Sequence, residues 1–263
     1  MVMDERPGNG AGAGQRKSES VKPPGTIYAR RLSVGRGLVS GFAMLCLAGL
    51  VNSGSAFAAG GPYVVDDYEI PAAGTCQIES WASFGKKSDR IFVMAPSCTF
   101  ESLSWLEVGF AVERSRSSGD WATTTAPVTK ASIIPIDQFG VGMAVAGSVE
   151  YDWTERAISG ATAAALFTFK PVERTLLNLN LGYERDQIER RDYAIWGVGA
   201  TLEPVENLAF IAEVFGRHEG RAGIQAGVRP TLFDGRLDVD FVVGRNLSDT
   251  RAIWFTVGTA LRF

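Results

Sequence analysis

Arg251-Ala252-Ile253-Trp254-Phe255-Thr256-Val257-Gly258-Thr259-Ala260-Leu261-Arg262-Phe263 ends the chain in unbroken alternation. Ile253, Phe255, Val257, Leu261 and Phe263 fall on one side, with Thr259. Ala252, Trp254, Thr256, Gly258, Ala260 and Arg262 fall on the other. A strand turns successive side chains to opposite faces. The stretch therefore predicts a strand between two environments, one apolar and one tolerant of small and polar groups.

Working back from that end, the chain divides into twelve such segments, at about 75–84, 90–97, 102–114, 122–132, 139–150, 157–169, 174–185, 192–202, 208–217, 221–229, 236–245 and 251–263. Their lengths suit a tilted strand crossing a bilayer, which needs roughly 9–11 residues. The turns between them form two populations. Ser97–Glu101, Ile133–Asp137, Lys170–Arg174, Glu203–Asn207 and Pro230–Gly235 are tight, and Pro135, Pro171, Pro204 and Pro230 mark four of them. The intervening connections, from Gly85–Asp89 to Asn246–Thr250, are rich in charge and lack proline. Strict alternation of two turn types is what a barrel with two different ends requires, and an even strand count puts both termini at one end. Strand 122–132 is the least regular, because its threonines define no apolar face and Pro127 lacks a ladder donor.

The opposite end of the chain carries an export layout. Residues 1–35 form a polar, Gly/Ser-rich leader expected to be disordered, and a start codon downstream of Met1 would account for its length. Residues 36–58 read as a signal peptide: basic residues up to Arg36, an apolar run from Leu38 to Val51, and Ala56-Phe57-Ala58 at the cleavage site. That run is too short to span a bilayer comfortably as a helix. Arg30-Arg31 reads as ordinary n-region charge, and the residues before Cys46 lack the small residue of a lipoprotein site. Residues 59–73 are expected to be a periplasmic N-terminal segment, and 74–263 the barrel.

The formal net charge of −3 leaves no basic stripe for nucleic acid. Cys76 and Cys98 are the cysteines remaining after processing. If residues 85–89 close a hairpin, positions summing to 174 face each other, and Cys76 meets Cys98 on one face. A disulfide follows. A metal pair would need histidine or further cysteine nearby, so no metal and no cofactor is expected.

Parity along the strands turns Glu79, Glu107, Glu113, Glu184, Glu213, Arg217, Arg229, Asp238, Asp240 and Arg262 inward, since an Arg or Lys on the lipid side costs about 2–4 kcal/mol at midplane. Glu79, Glu107, Glu184, Glu213, Arg217 and Arg229 are the candidate lumen lining. They fit either an ion-paired, partly plugged interior or a selectivity lining. Gly140, Gly142, Gly182, Gly197, Gly199, Gly223, Gly227 and Gly258 also point inward. Room for bulky partners, strand bending and an open lumen are three roles compatible with them.

The closing strand, ending in Phe263, resembles that of Gram-negative outer-membrane β-barrels, whose terminal aromatic is read by the insertion machinery. Tyr63-Val64-Val65-Asp66-Asp67, Gly74 through Trp81, Ile211 through Gly216, and Leu237-Asp238-Val239-Asp240 to Phe263 are similar to a family of small proteobacterial outer-membrane barrels labelled as phenol-degradation (MetA-pathway) transporters. That resemblance implies a monomeric barrel passing hydrophobic or aromatic compounds.

The expectation is thus an all-β transmembrane antiparallel barrel of about 12 strands, or ten if the region around 122–132 is miscounted, in the outer membrane of a Gram-negative bacterium. Its expected role is a porin-like channel for passive passage of small solutes. Its expected partners are outer-membrane lipid, the insertion machinery and a small-molecule solute. One alternative is a closed structural or adhesion barrel without transport. Another is a rim hydrolase centred on His218, the only histidine, with Glu219 or Ser248 nearby.

Overall fold

The computed structural model describes residues 61–86, 89–117, 119–138, 140–218, 222–247 and 253–263. The leader and signal-peptide expectations, residues 1–58, lie outside them. Twelve strands form one closed antiparallel barrel in which each strand pairs with its sequence neighbours. They are β1 (Thr75–Phe84), β2 (Arg90–Thr99), β3 (Leu106–Ser117), β4 (Asp120–Ile134), β5 (Val141–Asp152), β6 (Ala157–Val172), β7 (Thr175–Asp186), β8 (Arg191–Val205), β9 (Leu208–Arg217), β10 (Gly223–Leu232), β11 (Leu237–Asn246) and β12 (Ile253–Arg262). Single 3-10 turns at Glu101–Leu103 and Ile136–Gln138 lie between β2 and β3 and between β4 and β5.

The ring closes where β12 meets β1, from Gln77↔Arg262 to Phe84↔Phe255. Beyond the last strand residue, Phe263 and Cys76 exchange both backbone hydrogen bonds, at 2.9 and 3.0 Å. The other edge of Cys76 therefore presents a close, non-hydrogen-bonded pair to β2. There Cys98 stands directly opposite, and the two are joined by a disulfide. The predicted 174-sum register holds from Cys76↔Cys98 through Ile78↔Pro96 to Phe84↔Arg90.

Several strands run further than the sequence pattern indicates, because proline is accommodated inside them. β6 and β8 continue through Pro171 and Pro204, where the register shifts by one residue between Phe169 and Val172 and between Leu202 and Val205. A bulge leaves a backbone nitrogen unpaired, which is the position proline tolerates. Pro96, Pro127 and Pro230 act differently. Pairing on one side skips each of them and its neighbour, then resumes in the same register: β2–β3 after Met94, β4–β5 after Thr125, β10–β11 after Val228. Strand β4 is thereby secured despite Pro127. Its inward row is Thr124, Ala126, Val128 and Lys130, all buried.

Outward positions carry the large apolar residues, among them Phe110, Val145, Leu177, Leu181, Val198, Phe210, Phe241 and Phe255, all exposed. Inward positions carry small, polar or ionisable ones. Bulk also enters, as buried Leu166, Tyr193 and Ile211, and two aromatics lie on neighbours without a side chain: a Cβ on Gly244 would sit 2.2 Å from the Trp254 ring, and one on Gly223 2.7 Å from Phe215.

The disulfide joins residues 22 apart on the outer face. Closing a loop of that size constrains the unfolded chain by about 3 kcal/mol. Cys76→Ala/Cys98→Ala is expected to lower the urea midpoint and to steepen the transition slope as the unfolded chain expands, and reductant to do the same to the native chain.

Candidate functional site

Part of the stretch expected on the periplasmic side, Gly61–Tyr68, lies against the inner wall of the barrel, whereas Glu69 and Ala72–Gly74 are exposed. From Gly61 to Tyr68 the chain follows the inner wall as an arc, passing β1, β12, β10, β9, β8, β7 and β6 before reaching β5. For residues 61–68 this differs from the expectation of a periplasmic segment over 59–73. The cause is chemical: a wall of unsatisfied inward acceptors and side-chain-free positions matches a peptide backbone.

The hydrogen bonds trace the path. Gly61 N–H donates to Glu79 Oε2 at 3.1 Å. Val64 and Val65, successive N–H groups, donate to the two oxygens of Glu213 at 2.7 and 3.0 Å. Gln225 supports both partners, its Nε2 donating to Pro62 O at 3.1 Å and to Glu213 Oε1 at 2.8 Å. Asn180 grips the backbone of Asp66 from both sides, accepting from its N–H at 2.7 Å and donating to its carbonyl at 2.9 Å. Tyr68 N–H donates to Thr168 Oγ1 at 3.1 Å. A buried backbone amide without a partner is costly, and here wall side chains replace the ladder that the segment lacks.

Charge fixes the middle of the arc. Lys130, 1% exposed, reaches across from β4 to Asp66, 5% exposed, at 3.0 Å, with Asp67 at 3.6 Å. The apolar contribution is shape. Tyr63 packs in a buried cluster with Ala209, Ile211 and Val242, under the Arg229 guanidinium at 5.2 Å. A Cβ on Gly258 would lie 2.9 Å from Pro62, on Gly227 2.5 Å from the Tyr63 hydroxyl, on Gly197 2.6 Å from Val65, and on Gly142 2.3 Å from the Tyr68 ring. Those distances exclude a side chain while the segment is in place. Four of the inward glycines are thus seats for Pro62, Tyr63, Val65 and Tyr68.

Of the six candidate lining residues, Glu79 and Glu213 hold the segment. Arg229 pairs with Asp240 through two nitrogens, at 2.8 and 3.2 Å. Glu184 and Arg217 form an ion pair nearer the end remote from the termini, with Arg217 over the Tyr193 ring at 4.7 Å. Glu107 accepts from Gln77 Nε2 at 3.1 Å and stands opposite Lys130 in register. Arg262, near the terminal end, pairs with Asp238 at 2.6 Å. Lys130 and Asp66 were not among the candidates, although an ionisable residue within a strand is itself a sign of the inward face. His218 sits at the end of β9, its backbone N–H bonded to Ala194. Glu219 and Ser248, its proposed neighbours, lie outside the described residues. No group of three metal-ligating side chains occurs among the described residues.

Lys130→Met would strand the Asp66 carboxylate in a dry site, a loss of about 3–5 kcal/mol. The expected readout is protease cleavage within 61–68 of the variant and protection of those residues in the native barrel, with most of the protection regained in Lys130→Met/Asp66→Asn. Gly142→Leu is expected to expel Tyr68 and expose the same stretch, with the barrel itself still folded by heat-modifiable gel migration.

In its fold the chain is similar to small porins. The KdgM porin, solved alone and in complex with disordered oligogalacturonate, superposes with TM-scores of 0.55 and 0.56 at 12% and 10% identity, covering 71% of this chain and 99% of that one. The NanC porin gives a TM-score of 0.54 at 5% identity, covering 70% and 98%. No curated protein matches the sequence. The family model described as uncharacterised conserved protein UCP029691 matches residues 47–263, and the chain belongs to that family.

Proposed function

We propose that this chain is an outer-membrane channel of porin type, passing small solutes passively, with its own residues 61–68 as an internal plug. The observation that carries the reading is the closed barrel with a lipid-compatible outer face and an ionisable, hydrogen-bonding inner one. Such a wall has no use in a solid core, where charge burial is only a cost, but serves a conduit. The end bearing both termini faces the periplasm, and Phe263, paired in the closing seam, is the residue presented to the insertion machinery.

The inner charges favour neutral solutes. Arg217, Arg229 and Arg262 are each matched by Glu184, Asp240 and Asp238, so these guanidiniums offer no unpaired track for an anion. This agrees with the resemblance to phenol-degradation transporters, which implies aromatic or hydrophobic solutes. The plug equally supports a second reading, a permanently closed structural barrel, and the two differ in whether the segment yields.

Planar-bilayer conductance separates them. Residues 59–263 are expected to give sparse, discrete steps. Glu213→Ala/Asn180→Ala, which removes the acceptors for Val64, Val65 and Asp66, is expected to raise conductance several-fold. Folded barrels silent in both forms would contradict the channel reading.

A further inference from the structure

On the outer face, at the end remote from the termini, one register row runs Phe84 (β1), Arg90 (β2), Arg116 (β3), Trp121 (β4). The next row towards midbarrel places Phe92 beside Arg114. Arg90 and Arg116 are thus directly opposed like charges, an arrangement that is unfavourable without a counter-ion. The Arg114 and Arg116 guanidiniums both lie against the Trp121 ring, 5.7 and 5.2 Å from its centroid. Among the described residues the buried Arg116 Nε has no hydrogen-bond partner.

Five arginines elsewhere are ion-paired, in contrast to this cluster. Arg174, Arg185, Arg217, Arg229 and Arg262 each have a carboxylate within ion-pairing distance, on the outer face as well as in the lumen. Among the described residues no such pair involves Arg90, Arg114 or Arg116. Three guanidiniums on adjacent strands, one with an unused buried donor, form a fork suited to phosphate oxygens.

Their height and facing identify the source of the phosphate. Arg90 and Arg114 are exposed and point away from the lumen, on the strand ends. The Trp153 backbone N–H donates to the carbonyl of Thr123, two residues from Trp121, and its exposed ring packs edge to face on Tyr151 at 5.1 Å, aromatic residues of the kind that gather at a bilayer surface. Beside Arg90, Phe84 of the same row and Phe92 of the next pack edge to face at 5.9 Å, an apolar surface directed at acyl chains. We propose that Arg90, Arg114 and Arg116 form a binding site for the phosphate groups of a phosphorylated glycolipid of the outer leaflet. The proposal rests on the outer-membrane reading, but not on whether the lumen conducts.

The test is native mass spectrometry of residues 59–263 in detergent with bis-phosphorylated lipid A, the same lipid after phosphatase treatment, and inorganic phosphate. The native chain is expected to retain the bis-phosphorylated lipid. Arg90→Gln/Arg114→Gln/Arg116→Gln is expected to bind it at least about tenfold more weakly, since charge-assisted hydrogen bonds are lost. The dephosphorylated lipid is expected to bind as weakly to the native chain, and millimolar inorganic phosphate to leave the lipid in place. Equal retention by the triple variant, equal retention of the dephosphorylated lipid, or displacement by inorganic phosphate would each overturn the site. Heat-modifiable migration and vesicle insertion of the same samples keep the two readings apart. A folded, inserted barrel without lipid preference refutes this site alone, whereas a chain that never inserts refutes the membrane reading beneath it.

Discussion

Hydrocarbon offers no partner to a backbone amide, so a spanning sheet must leave no edge, and the architecture depends on β12 meeting β1. The seam is continuous from Gln77↔Arg262 to Phe84↔Phe255, and Phe263 extends it by two further hydrogen bonds to Cys76. The same geometry sets the Cys76–Cys98 pair on the other side of β1. Closure, register and cross-link are therefore one constraint expressed on three neighbouring strands.

Closure also creates an interior, and the side-chain period of two fills it with whatever lipid would reject. The result is a wall of carboxylates, amides and glycines. That wall is complementary to an extended peptide: Glu213 accepts two consecutive N–H groups, Asn180 mimics a strand partner, and glycines supply clearance for Pro62, Tyr63, Val65 and Tyr68. A buried Lys130–Asp66 pair fixes the register of the segment more than it adds stability, since desolvation offsets much of the Coulomb attraction. The segment is held by separate side-chain bonds and by close packing on glycines, whereas the barrel ladder is continuous.

Strand number, order, facing and the disulfide were legible because each rests on local alternation or on turn chemistry, as the Cys76–Cys98 register illustrates. Strand ends were less so. Pro171 and Pro204 read as turn residues, but a bulge lets each remain in a strand. The fate of residues 61–68 was hidden for a different reason. Gly142 pairs with Tyr68, and Glu213 with Val64, across long sequence separations, and nothing local in either partner announces the other. The inward glycines were visible as a set, and their purpose was not, because an absent side chain carries no address.

The most direct measurement of the central claim is cross-linking of the segment to the wall. A Cβ on Gly197 lies 3.7 Å from that of Val65, a spacing that suits a disulfide. In Val65→Cys/Gly197→Cys, oxidised in the membrane-inserted state and digested without reductant, the account predicts a peptide linking positions 65 and 197 and a conductance lower than that of the reduced form. Free thiols at both positions in a folded, inserted barrel would show that the segment does not reside in the lumen, and would contradict the account.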